Sequence, residues 1–140
     1  VCEDLPEESN TVTLDPELVD TDGIPAPKIT YRVSENSRKM LAHGLARGRE
    51  VMQAAGATEI ASTELLREAG WHLLGTARMG NDPASSVVNS WGRSHDVKNL
   101  FIVDGSIFVT GGAVNPTSTI QALDLYIADV MKKNLANLFD

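Results

Sequence analysis

Two stretches, Trp71–Gly80 (WHLLGTARMG) and Asp104–Thr119 (DGSIFVTGGAVNPTST), decide how this chain of 140 residues is interpreted. The first places one histidine, His72, just before a Gly-Thr turn. The second follows an apolar run, passes through a glycine-rich loop and reaches Asn115-Pro116, a pair typical of a helix start. A base, a loop that permits close approach and a positive helix end are the groups needed to take a proton and a hydride from an alcohol.

Composition limits the class of protein. A single domain is expected at this length, and it can bury roughly 68–70% of its unfolded surface. The net charge of −7 argues against a nucleic-acid partner, because phosphate binding favours a basic surface. No apolar run approaches the ~18 residues of a membrane helix. Cys2 is the only cysteine, which excludes an intrachain disulfide and a cysteine metal cluster, and no metal site is expected.

Short alternating segments predict strands in the first part of the chain. Thr11–Leu14 and Lys28–Val33 alternate polar and apolar residues around the turn-forming segment Asp20–Pro27. Because a two-stranded ribbon alone is marginal in water, further strands are expected beside it. Residues 1–9 are acidic and broken by proline, and they are expected to form a tail or a connector.

Helix signals predict two long helices. The first spans about residues 35–55, capped by Ser34 or Asn36 and ended by Gly56, and one or two further turns are expected within Ser62–Glu68. The last begins at Asn115-Pro116, with Asn115 as the cap and Pro116 as the first helical residue. Its apolar stripe consists of Ile120, Leu123, Ile127, Val130 and Met131, continued by Leu135 and Leu138. Val87-Val88 predicts a brief strand, and the uniformly apolar Leu100–Val103 predicts a buried parallel strand.

The motifs WHLLGTARMG, NLFIVDGS (Asn99–Ser106) and NPTST (Asn115–Thr119), in this order, resemble the glucose–methanol–choline (GMC) family of FAD-dependent oxidoreductases. The resemblance implies an α+β fold, the C-terminal segment of such an enzyme. Residues 1–70 would be part of the antiparallel substrate-binding domain with its long helix. Residues 71–140 would carry the catalytic histidine and the last strand and helix of the FAD-binding domain.

The same resemblance implies the site. His72 would remove the proton of the substrate hydroxyl, a role that suits a side chain whose ordinary pKa is about 6.5. Asn115 would donate a hydrogen bond to the same substrate oxygen, although Asn before Pro is also an ordinary helix cap. Flavin contacts would come from Asp104, Gly105, Asn115, Pro116 and Thr117, with Asp104 either accepting from a ribityl hydroxyl or bracing its own turn.

The implied partners are FAD, a small alcohol or sugar, and an N-terminal portion of the parent, because no G-x-G-x-x-G fingerprint for the FAD pyrophosphate occurs in this sequence. Sugar or polyol dehydrogenase is the favoured activity, and the chain is interpreted as the excised end of a longer protein whose compartment stays open. The alternative is a cofactor-free structural or interaction fragment that self-associates. A chance resemblance is the third option.

Other titratable residues have simpler interpretations. Arg78 is expected to pair with Asp82 or another acid, and His43 and His95 are expected to be solvated. A hydrolase set of His72, Asp104 and Ser106 lacks the G-x-S-x-G context that would support it.

Overall fold

The computed structural model describes residues 2–66 and 70–138, and the chain divides into two compact units, Val1–Leu66 and Arg67–Asp140. The elements, in chain order, are β1 (Thr11–Val19), β2 (Pro25–Thr30), α1 (Glu35–Ala54), a 3-10 turn (Gly105–Ile107), α2 (Thr117–Lys133) and a second 3-10 turn (Leu135–Asn137). This mixture confirms the predicted α+β class. The predicted boundary at residues 70/71 concerns the domains of a longer parent and stays a prediction.

The first unit contains the antiparallel hairpin β1–β2, in which Val12 pairs with Ile29. Its turn is held by Asp20, whose Oδ1 accepts the backbone N–H groups of Asp22 and Ile24, each at 2.9 Å. A carboxylate that satisfies two turn amides is the local reason why this Asp-rich segment reverses the chain.

Both predicted strands are present with different bounds. β1 continues through an irregularity in the ladder to Val19, and β2 begins earlier and ends at Thr30. β2 ends there because a side chain replaces the ladder: Asn10 Oδ1 accepts the backbone N–H of Arg32 at 2.8 Å, and Asn10 Nδ2 donates to the Arg32 carbonyl at 3.1 Å. Over the described parts of the chain the sheet has two strands, so the expected further strands are not found there.

The predicted tail is docked on its unit instead. Asp4 Oδ1 accepts a hydrogen bond from the hydroxyl of the buried Ser37 at 2.7 Å, and its other oxygen accepts from the Tyr31 hydroxyl. Cys2 Sγ donates to the Met40 carbonyl at 3.7 Å. The segment predicted to be a tail or a connector is thus fixed by side-chain hydrogen bonds, which leave no apolar pattern in the sequence.

Helix α1 confirms the prediction closely. Ser34 Oγ accepts the backbone N–H of Ser37 at 3.0 Å, which makes Ser34 the N-cap. At the other end Gly56 has φ +86°, a conformation that favours glycine and ends the helix. The further helical turns predicted within Ser62–Glu68 are absent over residues 62–66, and residues 67–69 lie outside the described part.

The second unit is built on a small apolar core. Val88, Ile107 and Ile127 are fully buried. The partly buried side chains packed around them are Met79, Trp91, Ile102, Phe108, Leu123 and Met131. The predicted stripe of α2 therefore faces the core through Ile127, and Leu138 is buried beyond the helix while Leu135 is exposed.

The segment Leu100–Val103 is not the predicted parallel strand. Phe101 makes an isolated antiparallel bridge to Arg93, and Leu100 and Val103 are 46% and 41% exposed. A buried parallel strand needs neighbours on both edges, and within the described residues this segment has the single bridge to Arg93. Val88 likewise forms isolated bridges rather than a strand.

Candidate active site

Two backbone hydrogen bonds join the two motifs. Ala77 N–H donates to the Ser106 carbonyl at 2.9 Å, and Met79 N–H donates to the Ile107 carbonyl at 2.8 Å. The second half of WHLLGTARMG therefore runs alongside the turn that follows Asp104. This pairing brings together stretches that lie far apart in the sequence.

Gly105 makes the contact between the motifs tight. A Cβ at this buried position would lie 2.9 Å from Leu74 Cδ2 and 3.1 Å from the Leu73 carbonyl oxygen. The Leu74 methyl group ends a flexible side chain and could move, whereas the Leu73 carbonyl would have to give way by a few tenths of an ångström. Gly105 thus fits close packing within the chain, and its contact with flavin stays a prediction.

Asp104 braces the same turn. Its Oδ1 accepts the Ser106 backbone N–H at 2.8 Å and caps the 3-10 turn. Hydrogen bonds from the Ser106 hydroxyl and backbone N–H hold the pKa of Asp104 below its usual range. Of the two roles considered for Asp104, the structure shows the bracing one, and a ribityl contact stays a prediction.

A cleft of about 310 Å³ lies beside this turn at the start of α2. Its walls are largely apolar, with an amide, two hydroxyls and a glycine pair among them. The lining residues are Leu74, Phe108, Thr110, Gly111, Gly112, Val114, Asn115, Pro116 and Thr119.

Asn115 enters this cleft without a capping role, which corrects the predicted cap. Helix α2 begins at Thr117, Pro116 occupies the cap position with φ −89° and ψ −4°, and no side chain caps the helix. The Pro116 carbonyl accepts the Ile120 N–H at 2.9 Å, so the helical ladder starts one residue later than predicted. Among the described residues the Asn115 carboxamide has no hydrogen-bond partner, which leaves its N–H groups available to a ligand.

The loop that leads to Asn115 holds one unusual backbone conformation. Ala113 has φ +55°, in the left-handed region that residues with a Cβ seldom adopt, whereas Gly111 and Gly112 do not. A Cβ at Gly112 would meet nothing within 4 Å. The glycine pair therefore borders open space at the cleft, and the strain lies at the residue after it.

His72 lies on an exposed stretch. Its flanking residues Trp71 and Leu73 are 83% and 80% exposed. The His72 ring makes no hydrogen bond within residues 2–66 and 70–138, and it is not among the residues that line the cleft with Asn115. Leu74, two positions later, does line it. The convergence of His72 and Asn115 on one substrate oxygen stays a prediction.

Sequence reasoning missed a hydrogen-bonded cluster around His95. The ring is half-buried, and its Nε2 lies 3.0 Å from Ser86 Oγ and 3.2 Å from the Gly80 carbonyl oxygen. Ser86 Oγ also donates to the Asp82 carbonyl at 2.6 Å. The expected solvated His95 was wrong because polar side chains on irregular segments carry no periodic signal of burial.

Arg78 also differs from expectation. Its Nε donates to the Ser85 carbonyl at 2.7 Å, and over the described residues no ion pair joins it to Asp82. The guanidinium thus holds the loop before the Val88 bridge rather than neutralising an acid.

The described residues contain neither a candidate metal site nor a helix suited to span a membrane. No group of three or more His, Cys, Asp or Glu side chains within them could hold a metal ion. Neither of their long helices combines the length and the apolar character needed to cross a bilayer.

Comparison with known proteins settles the family. A family model described as GMC oxidoreductase matches residues 6–123. The chain belongs to the GMC oxidoreductase family. This confirms the resemblance carried by the three motifs.

Curated relatives extend the comparison. The chain is 47% identical over 139 residues to a 2-methyl-1,2-propanediol dehydrogenase of Mycolicibacterium austroafricanum, covering 99% of this chain and 25% of the relative. It is 39% identical over 131 residues to the fructose dehydrogenase large subunit of Gluconobacter japonicus, covering 94% and 24%. The chain thus spans about a quarter of the length of these relatives.

A solved structure supports the fold. The pyridoxine 4-oxidase of Mesorbium loti matches with a TM-score of 0.65 over 93% of this chain and 28% of that chain, at 24% identity. At this identity the likeness concerns the fold alone. It confirms the prediction of a GMC C-terminal fold for the chain.

Proposed function

We propose that this chain is the C-terminal part of an FAD-dependent oxidoreductase that oxidises the CH–OH group of an alcohol, sugar or polyol. GMC relatives named for a diol and for fructose, both carriers of CH–OH groups, support the substrate class. The observation that carries the proposal is Asn115, which lines the cleft with a carboxamide that no other described residue engages.

The cleft suits one edge of a flavin ring. Leu74, Phe108 and Val114 offer apolar contact, and the open side of Gly112 leaves room for a flat group. The start of α2 has no capping side chain, so the backbone N–H groups of its first turn are donors for a polar ring edge, reinforced by roughly +0.5 charge of the helix dipole. Bound there, FAD would supply the acceptor for the hydride.

The chain's own residues would handle the substrate oxygen. Asn115 would donate an N–H to it and stabilise the negative charge that develops as the O–H bond breaks. His72 would accept that proton at a ring nitrogen, and the C–H hydrogen would leave with its electron pair, so the alcohol becomes a carbonyl. The proton and the hydride together account for the two-electron oxidation.

The 140-residue chain alone is expected to bind no flavin and to be inactive. It contains no G-x-G-x-x-G segment for the pyrophosphate. Flavin absorbance of the purified chain tests this expectation. A stoichiometric yellow chromophore would contradict it.

Replacing His72 in the full-length protein tests the proposal. His72→Ala is expected to lower kcat by about 10²–10⁴-fold with FAD still bound, because it removes the general base. The matched control is His43→Ala, since His43 is exposed on α1 in the other unit. Near-normal turnover of His72→Ala at full flavin content would overturn the assignment.

A further inference from the structure

A hydrogen-bonded cluster surrounds His95, outside the lining of the cleft. It joins Gly80, the last residue of WHLLGTARMG, to Ser86 and His95 through side-chain and backbone groups that lie within one unit. A histidine next to a serine forms a nucleophilic pair only if the serine hydroxyl donates its hydrogen bond to the ring nitrogen.

The Gly80 carbonyl oxygen determines which tautomer His95 adopts. The Gly80 carbonyl can only accept, so the contact at 3.2 Å requires a proton on His95 Nε2. The same N–H then also faces Ser86 Oγ at 3.0 Å, and the Ser86 hydroxyl is free to donate to the Asp82 carbonyl at 2.6 Å. With Nε2 unprotonated, this ring nitrogen and the Gly80 carbonyl oxygen would face each other as two acceptors without a hydrogen between them. Ser86 is therefore not activated by His95, and the pair is not a nucleophilic dyad.

The Gly80 carbonyl, which His95 holds, belongs to a stretch that also contacts the proposed site. Gly80 N–H donates to the Val88 carbonyl at 2.9 Å, while Ala77 and Met79 donate to the turn at 106–107. Residues 77–80 are thus fixed on one side by that turn and on the other by Val88 and the His95 ring. Residues 73–74 of the same stretch are packed against Gly105.

We propose that His95 is a positioning residue: its Nε2–H fixes the Gly80 end of residues 77–80 and so sets where the stretch carrying His72 lies against the turn at 104–107. This proposal rests on the proposed function only in taking His72, on the positioned stretch, as the catalytic base. His95 is not among the residues that line the cleft, so its role is to hold another segment in place. The backbone N–H of His95, which donates to the Val87 carbonyl at 3.0 Å, anchors the ring's own segment.

Three variants of the full-length protein test it. His95→Leu keeps the bulk of the ring and removes the donor. His95→Gln restores an N–H₂ at about the reach of Nε2. Ser86→Ala removes the second acceptor and leaves the contact with Gly80 in place.

Amide hydrogen exchange is the first readout. In His95→Leu, exchange at Ala77 and Met79 is expected to rise by roughly two- to tenfold, the equivalent of one net hydrogen bond. His95→Gln should return it close to wild type, and Ser86→Ala should change it little. Wild-type exchange at both amides in His95→Leu would overturn the proposal. An equal rise along all of α2 would overturn it too, because it would show a role in general stability.

Turnover per bound flavin is the second readout. His95→Leu is expected to lose on the order of ten- to 10²-fold in kcat with little change in KM, as a displaced catalytic group does. His95→Gln is expected to recover most of this loss, which a general loss of stability would not predict. Unchanged kcat alongside faster exchange would overturn the positioning role. The separate His72→Ala result reports on the proposed function itself, so the two failures are distinguishable.

Discussion

The two units of this chain are stabilised in opposite ways. The first has the hairpin and the longer helix, yet its buried residue among those described is Ser37, a serine held by hydrogen bonds to Asp4 and Ser34. The second is mostly irregular between residues 70 and 116, yet it buries Val88, Ile107 and Ile127 completely. The first unit thus has most of the regular secondary structure, whereas the second has the packed core, to which α2 contributes Ile127. The candidate site lies with that core.

This contrast explains why the site tolerates irregular backbone. Residues 77–80 and 104–107 are joined by backbone hydrogen bonds, and Gly105, which has no side chain, lets residues 73–74 pack closely against it. A packed turn can hold Asn115 and its cleft in place without a sheet. The hairpin, in contrast, exposes the apolar residues Val12, Leu14 and Ile29.

After that of His72→Ala, the largest expected effect tests whether function resides in the second unit. Asn115→Ala in the full-length protein is expected to lower kcat by about 10²–10³-fold, because a donor to the developing negative charge is lost. Stability should barely change, since Asn115 does not cap α2. The measurement is steady-state kinetics with flavin content and melting temperature.

The matched control is Asn10→Ala, an amide in the first unit that binds the backbone of Arg32. It should lower the stability of the hairpin and leave kcat per folded molecule unchanged. If Asn115→Ala instead lowers stability and not kcat, the side chain acts as a cap and the functional contrast between the units disappears.

The next effect concerns the core itself. Ile127→Ala in the 140-residue chain is expected to cost about 2–5 kcal/mol of unfolding free energy, because Ile127 is 1% exposed and the cavity would not collapse fully. Leu125→Ala on the same helix is the control, and at 73% exposure it should stay within about 0.5 kcal/mol.

Urea unfolding followed by tryptophan fluorescence measures this difference, because Trp71 and Trp91 both lie in the second unit. Equal costs for the two variants would show that the second unit lacks the core described here. Leu14→Ala in the exposed hairpin, followed by far-UV circular dichroism, should cost as little unfolding free energy as Leu125→Ala. A large cost would show that the first unit also depends on apolar packing.

Sequence reasoning succeeded where signals are local. Ser34 and Gly56 bound α1 because a cap and a left-handed glycine act over a few residues, and the stripe through Ile127 follows the helical period. The family itself was recognised from three short motifs, and the family match confirms it.

It failed where the partner is distant in the chain. The hydrogen bonds of Met79 with Ile107 and of His95 with Gly80 belong to no helical or strand periodicity, so the local sequence does not predict them. Leu100–Val103 looked like a buried strand because apolar content alone does not tell whether neighbouring strands exist. The cap at Asn115 was misplaced for a related reason, since Pro116 can occupy either the cap or the first helical position.

The smallest expected effect returns to the polar network of the first unit and to pH. Partial burial, the hydrogen bond to Asp4 and the negative charge of that carboxylate raise the pKa of Tyr31 to about 12. Because this value lies above the ordinary 10.0, the folded state holds the phenol proton more tightly than the unfolded state. The stabilisation is complete below pH 10 and is lost as the pH rises toward 12.

Between pH 10 and pH 12 the free energy of unfolding of Tyr31→Phe should therefore fall less than that of the wild type. Although partly buried, Tyr31 remains 58% exposed, so solvent screening keeps the expected difference in unfolding free energy below about 1 kcal/mol. Far-UV circular dichroism follows the helices of both units, whereas tryptophan fluorescence follows the second alone, so the effect should appear only in the first signal. Tyr126→Phe on α2 is the control. If Tyr31→Phe and wild type lose stability in parallel, Asp4 does not hold this phenol, and the first unit owes its stability to something other than the network around Ser37.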